Sequence, residues 1–164
     1  MAYDRPEILS GQIWRLWSGH LVHYSPRHAL VDAGMLLLIG LVLEPLAGTR
    51  RLCIGLALGG PGIALALLWC APGLLEYRGA SGLDMLMAAM ALCLLWRSGG
   101  LSRSWLMVLG GALLFKTIGE AGGIWLGWSS LPQGVATVWQ AHALGAACGV
   151  LLFAGSPRKR SSAD

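Results

Sequence analysis

Apolar residues fall in long blocks along this chain rather than in the short alternations of a soluble domain. No Asp, Glu, Lys or Arg occurs in residues 52–75, a run of 24, or in residues 121–157, a run of 37. A hydrocarbon layer about 30 Å thick takes roughly 20 residues of helix to cross, so both runs are long enough. The pattern predicts five spanning segments: 29–47, interrupted by Asp32 and Glu44, then 52–71, 81–96, 105–119 and 136–154. Ahead of them, residues 11–27 form an amphipathic stretch with Trp14, Trp17, Tyr24, His20 and His23, a composition suited to the membrane interface. Backbone facing lipid must satisfy its own polar groups, so every segment at depth is expected to be helical and strands are excluded. The expected fold is all-α, a polytopic helical membrane bundle.

Composition sharpens that picture. Charged residues number 20 of 164, or 12%, against roughly 25% in a soluble domain. A soluble globular domain, a disordered chain and a nucleic-acid binder are all excluded. Cys53, Cys70, Cys93 and Cys148 lie within or at the ends of apolar segments with no Cys-x-x-Cys pair, so they are read as small packing residues. No metal or other cofactor is expected. The opening residues Met1 to Glu7 lack the basic-then-apolar order of a cleaved signal peptide.

Basic residues set the expected orientation. Arg50 and Arg51 separate the first two segments, Arg97 and Arg103 separate the third and fourth, and Arg158, Lys159 and Arg160 close the chain. With five alternating spans these groups share one side, which the positive-inside rule makes cytoplasmic. The start of the chain then lies outside. Either a short tail is translocated directly or a further span precedes Met1, and the second is the expectation. Residues 1–27 are accordingly assigned to an interfacial region, 28–155 to the transmembrane domain and 156–164 to a basic cytoplasmic tail.

Polar side chains inside spans are expensive and therefore functional candidates. Ser81 opens the third segment within Gly79-Ala80-Ser81-Gly82, and His142 sits in the fifth within Gln140-Ala141-His142. Ser81 lies 16 residues before Arg97, and His142 lies 16 before Arg158. At 1.5 Å per residue each stands about 24 Å above the cytoplasmic boundary. Gly145 and Gly149, four apart beyond His142, and Gly79 and Gly82 around Ser81 would let the two helices approach closely. Such an approach would allow a Ser–His hydrogen bond, the arrangement of a nucleophile and its general base. Taken singly, Ser81 is also a natural helix N-cap and His142 a natural interhelical hydrogen-bond partner.

These residues resemble a known family. Gln12-Ile13-Trp14-Arg15-Leu16, then Gly19-His20-Leu21-Val22-His23 and His28, resemble the first loop and following helix of rhomboid intramembrane serine proteases. Gly79-Ala80-Ser81-Gly82 is similar to their Gly-x-Ser-Gly nucleophile motif, and Ala141-His142 with Gly145 and Gly149 to their final, histidine-bearing helix. The resemblance implies a Ser81–His142 dyad, a rhomboid-like bundle, no cofactor and a membrane-anchored protein substrate met within the lipid bilayer. It also implies a six-helix core, whose first helix is missing from the five segments here.

Rhomboids typically carry His-x-x-x-Asn at the oxyanion site, whereas this chain has His28-Ala29-Leu30-Val31-Asp32. Aspartate cannot donate an amide hydrogen bond, so His28 keeps the oxyanion role and Asp32 becomes its partner. This departure, the short chain, Tyr77-Arg78 and Lys116-Thr117-Ile118-Gly119-Glu120 resemble the rhombosortase branch. That branch implies a bacterial inner-membrane enzyme with its site on the periplasmic side, removing GlyGly-CTERM anchors from exported proteins. Lys116 and Glu120, four apart, are read as a structural ion pair and Asp84 as a packing hydrogen-bond partner; neither carboxylate is read as a third catalytic member. Two rivals stand beside the protease: an inactive rhomboid-like binder of transmembrane segments, and a small transporter subunit with Asp32, Asp84, Lys116, Glu120 and His142 along a polar path. Reaction with a fluorophosphonate would argue against transport, and ion flux in liposomes for it.

Overall fold

The computed structural model describes residues 1–124, 131, 135 and 137–154. The basic cluster Arg158, Lys159 and Arg160 lies outside the described residues, as does most of the connection before the last helix. The order of elements is β1 (Tyr3–Asp4), α1 (Arg5–Leu9), α2 (Arg15–Ser18), α3 (Pro26–Ala47), α4 (Thr49–Cys70), β2 (Glu76–Tyr77), α5 (Ser81–Ser98), α6 (Arg103–Ala121) and α7 (Trp139–Ala154). The protein is an all-α, multi-pass membrane bundle.

The long helices begin and end where local chemistry directs. Ser25 caps α3 by accepting the His28 N–H at 3.1 Å, with Pro26 in the first turn, where its missing donor costs nothing. Gly48 alone, at φ +81°, separates α3 from α4, so the chain reverses within one residue. Arg50 and Arg51 consequently stand in the first turn of α4 rather than in a loop. Arg51 donates to the Leu152 carbonyl near the end of α7. Gly99 at φ +68° stops α5 with a left-handed cap.

Helices α3, α4 and α5 are long and apolar enough to cross a membrane. Helix α6 is 19 residues long but carries Arg103, Lys116 and Glu120, and α7 is an apolar helix of 16 residues. Outward-facing leucines on α3 and large apolar residues on α6 are exposed, as a lipid-facing surface requires. The core instead gathers around α5, where Leu83, Leu86, Met87 and Met90 meet Ile63 and Leu67 of α4.

The exclusion of strands needs correction. Tyr3 and Asp4 pair antiparallel with Tyr77 and Glu76, and the Arg5 N–H continues the contact to the Leu75 carbonyl at 2.9 Å. The ribbon lies in segments between or before the spans, where the lipid-depth rule does not apply. Residues 11–25 are likewise mostly turns around the short α2. They are fastened to α4 at Pro61. Proline has no N–H for the Ala57 carbonyl four residues back, and the Trp17 indole N–H takes that acceptor at 3.0 Å.

Helices α5 and α7 pack backbone against backbone. A methyl group on Gly145 would overlap the Gly82 carbonyl oxygen, and one on Gly149 would overlap the Leu86 carbonyl oxygen. Neither obstacle is a flexible side chain, so relief requires the helices to part. Gly149→Ala should therefore destabilise the fold by about 1–3 kcal/mol, measurable as a lower melting temperature in detergent. The control Gly62→Ala, where a Cβ meets nothing within 4 Å, should leave it nearly unchanged.

Candidate active site

Ser81 is the first residue of α5 and His142 lies in the first turn of α7. The tight α5–α7 contact just described brings them together, with His142 Nε2 2.9 Å from Ser81 Oγ. His142 is buried, 4% exposed. Its other ring nitrogen, Nδ1, lies 2.6 Å from Glu120 Oε2, while Glu120 Oε1 lies 2.5 Å from Lys116 Nζ. A carboxylate only accepts, so the hydrogen bond to Glu120 puts the proton on Nδ1 and leaves Nε2 free to accept from the Ser81 hydroxyl. Lys116 and Glu120 do form the expected ion pair, but reading it as only that is corrected, because Glu120 also holds His142.

The turn before Ser81 is clamped from α3. Asp32 Oδ2 accepts the Ala80 N–H at 2.7 Å. The same oxygen lies 3.3 Å from His28 Nε2 and 3.2 Å from His23 Nε2. Asp32 thus lies beside His28, one turn apart on α3, and also tethers the turn before Ser81. His28 Nδ1 accepts from the Tyr24 N–H at 3.4 Å, which leaves the ring proton on Nε2, facing Asp32. Gly79 is obligatory here. Its φ is +118°, and a Cβ would lie 2.8 Å from the His28 ring and 2.9 Å from Asp32. Its N–H donates to the Gly19 carbonyl at 3.1 Å, binding this turn to the segment after α2. Gly82, Gly145 and Gly149 line the α5–α7 contact.

A cavity of about 460 Å³ opens beside these groups, lined by Ser81, His142, His28 and Asp32 with mostly apolar walls from α3, α5 and α6. Asp84, one turn along α5 from Ser81, is buried and also lines it. The packing hydrogen bond expected of Asp84 is corrected in part: its Oδ1 has no hydrogen-bond partner among the described residues. No cluster of metal-ligating side chains occurs among the described residues. The groups present can transfer a proton from a serine hydroxyl to an imidazole at the wall of this cavity, the elementary step of nucleophilic catalysis.

Three contributors escaped the sequence reading: Glu120 as a partner of His142, His23 as a second imidazole on Asp32, and Tyr77 beneath the serine turn. A signal for Glu120 was present. It stands 17 residues beyond Arg103, about 25 Å above the cytoplasmic boundary, level with Ser81 and His142.

A helical multi-pass membrane bundle with a serine–histidine pair at one end defines the class of protein. Within that class, the Rhomboid domain model matches residues 10–157, and the chain belongs to the rhomboid family of intramembrane proteases, which act on membrane-protein substrates. Comparison with curated proteins and with solved structures gives no match.

Beneath the site, Tyr77 is fully buried with its hydroxyl against Gly82, and burial raises its phenol above the ordinary range, so it stays a neutral O–H. The His20 ring lies edge-on to Tyr77 at 5.5 Å, and its Nε2 donates to the Gly60 carbonyl at 2.9 Å. Burial pushes His20 below its ordinary pKa of 6.5, partly opposed by the backbone carbonyls of Gly60 and Gly79. The folded state therefore prefers the neutral ring while the unfolded chain takes up a proton below about pH 6.5. This contribution to stability is complete above that pH and is lost as pH falls through the folded-state value. The melting temperature should drop on going from pH 7.5 to 5, and His20→Gln, which keeps a donor but cannot titrate, should flatten that dependence.

Proposed function

We propose that the protein is an active intramembrane serine endopeptidase of the rhombosortase type, cutting the C-terminal membrane anchor from exported proteins. The observation that carries this reading is the 2.9 Å contact between Ser81 Oγ and His142 Nε2 in a chain of the rhomboid family. His142 Nε2 takes the hydroxyl proton as Ser81 Oγ bonds to the scissile carbonyl carbon. The same proton passes to the leaving amine as the C–N bond breaks, leaving an acyl-enzyme. Water entering the cavity then attacks the ester, gives its proton to His142 and restores Ser81.

The developing oxyanion is met by the Ser81 N–H at the positive end of α5, while His28, whose one ring N–H faces Asp32, supports the site through that carboxylate. A carboxylate next to an oxyanion would ordinarily be harmful. Asp32 is engaged by the Ala80 N–H, which takes up part of its charge, with the His28 and His23 rings beside it. Its tether on Ala80 fixes the serine turn, the task that makes the Asn-to-Asp departure compatible with catalysis.

The rhombosortase assignment is supported by Asp32, Tyr77-Arg78 and the Lys116-to-Glu120 run, and with it the GlyGly-CTERM substrate class. The proposed setting is the bacterial inner membrane, with the cavity on the periplasmic side and the C-terminus in the cytoplasm, as the basic residues indicate. Membrane co-expression with a reporter ending in a Gly-rich motif, one hydrophobic span and a basic tail tests this. Wild type should release the reporter and bind a fluorophosphonate, whereas Ser81→Ala and His142→Ala should each abolish release while still inserting in the membrane. Cleavage of generic rhomboid substrates but not this reporter would discard the branch. A well-inserted wild type inactive on both would overturn the protease.

A further inference from the structure

We propose that Glu120 is a positioning carboxylate for His142, so that the site works as a Ser81–His142–Glu120 relay rather than as a dyad. The proposal deepens the protease reading and rests on it. Its basis is the placement of one side chain. Glu120 gives one oxygen to Lys116 Nζ at 2.5 Å and the other to His142 Nδ1 at 2.6 Å, and its side chain is only 4% exposed while that of Lys116 is 50% exposed. The carboxylate is turned inward to the imidazole, and the lysine covers it from outside.

A purely structural role explains this position poorly. Glu120 stands in the last turn of α6, where the helix dipole disfavours a negative charge. Lysine four residues ahead of glutamate is also the weaker order for an i,i+4 pair. Taking a carboxylate out of water at membrane depth adds a further cost. All three are borne at the one place where an acceptor fixes the His142 tautomer. With the proton held on Nδ1, Nε2 must present its lone pair to Ser81. Without Glu120 the ring is free to carry its proton on Nε2, and it then cannot accept from the serine. Lys116 keeps the carboxylate aimed, and among the described residues Ser81, Glu120 and Lys116 meet the ring nitrogens of His142; the ammonium, 3.4 Å from Nδ1, is too distant to displace the 2.6 Å contact with Glu120.

The full-length protein in detergent or liposomes allows a direct test, using reporter cleavage and the nitrogen chemical shifts of His142 in ¹⁵N-histidine-labelled protein. Glu120→Gln should lower kcat by roughly 10²–10⁴-fold, as loss of the orienting carboxylate does in other serine hydrolases, with KM little changed. Glu120→Asp should recover at least about tenfold over Glu120→Ala, and Lys116→Met, which leaves the carboxylate on His142, should lose far less than Glu120→Gln. The wild-type spectrum should show His142 protonated on Nδ1, shifting towards the Nε2-protonated form in Glu120→Gln. Equal losses in Lys116→Met and Glu120→Gln would reduce Glu120 to an ion-pair partner and overturn the proposal. So would near wild-type turnover in Glu120→Gln, or an unchanged tautomer. Should wild type itself not cleave, the protease reading fails separately, and the tautomer measurement alone decides whether Glu120 sets the His142 ring.

Discussion

Everything at the site depends on how closely the backbones of α5 and α7 approach. Gly145 against the Gly82 carbonyl and Gly149 against the Leu86 carbonyl leave no room for a single methyl group. In lipid, apolar burial does little to hold helices together, so small residues that permit extensive backbone contact supply the packing energy. The contact also sets the register. Gly145 is one turn from His142 and Gly82 is next to Ser81, so fixing the glycines fixes the 2.9 Å Ser81–His142 distance with almost no lever arm. Precision of that order, a few tenths of an ångström, is what separates a reactive pair from two neighbouring polar groups.

Around that seam the protein spends polar interactions on holding loops still. The turn before Ser81 is fixed by Asp32 on Ala80, by the Gly19 carbonyl on Gly79, and by the short ribbon between Tyr3 and Tyr77. Helix α2 and the segment after it are in turn fastened to α4 through Trp17 on Ala57 and His20 on Gly60. Each bond satisfies a backbone group that membrane surroundings leave without water, so fold and site are stabilised by the same contacts. Pro61 illustrates the economy: a residue that breaks a helix hydrogen bond provides the acceptor that docks the loop.

The site departs from the simplest serine–histidine pair in two carboxylates. Asp32 holds the turn before Ser81 and Glu120 lies against His142, each from a different helix. Both are buried, and both are met by nitrogen donors, which is the condition for keeping a negative charge at such depth. Asp84 lacks that complement at one oxygen and faces the cavity instead.

What the amino-acid order determined by itself is what single helices can express. Length, hydropathy and missing charge placed the long helices to within a few residues, three of them long and apolar enough to cross a membrane. The same linear measure put Ser81 and His142 at one depth and made glycine the material of their contact. Tertiary structure alone decided which faces met. Lys116 lies four residues from Glu120, so a local ion pair was visible and accounted for the charge. That Glu120 also turns its second oxygen to His142, 22 residues on, depends on the rotation and tilt of α6 against α7, which no spacing within either helix encodes. The β1–β2 ribbon was hidden for the same reason: two residues paired with two others more than 70 positions away leave no period to read. Depth is a property of one helix, whereas facing is a property of two.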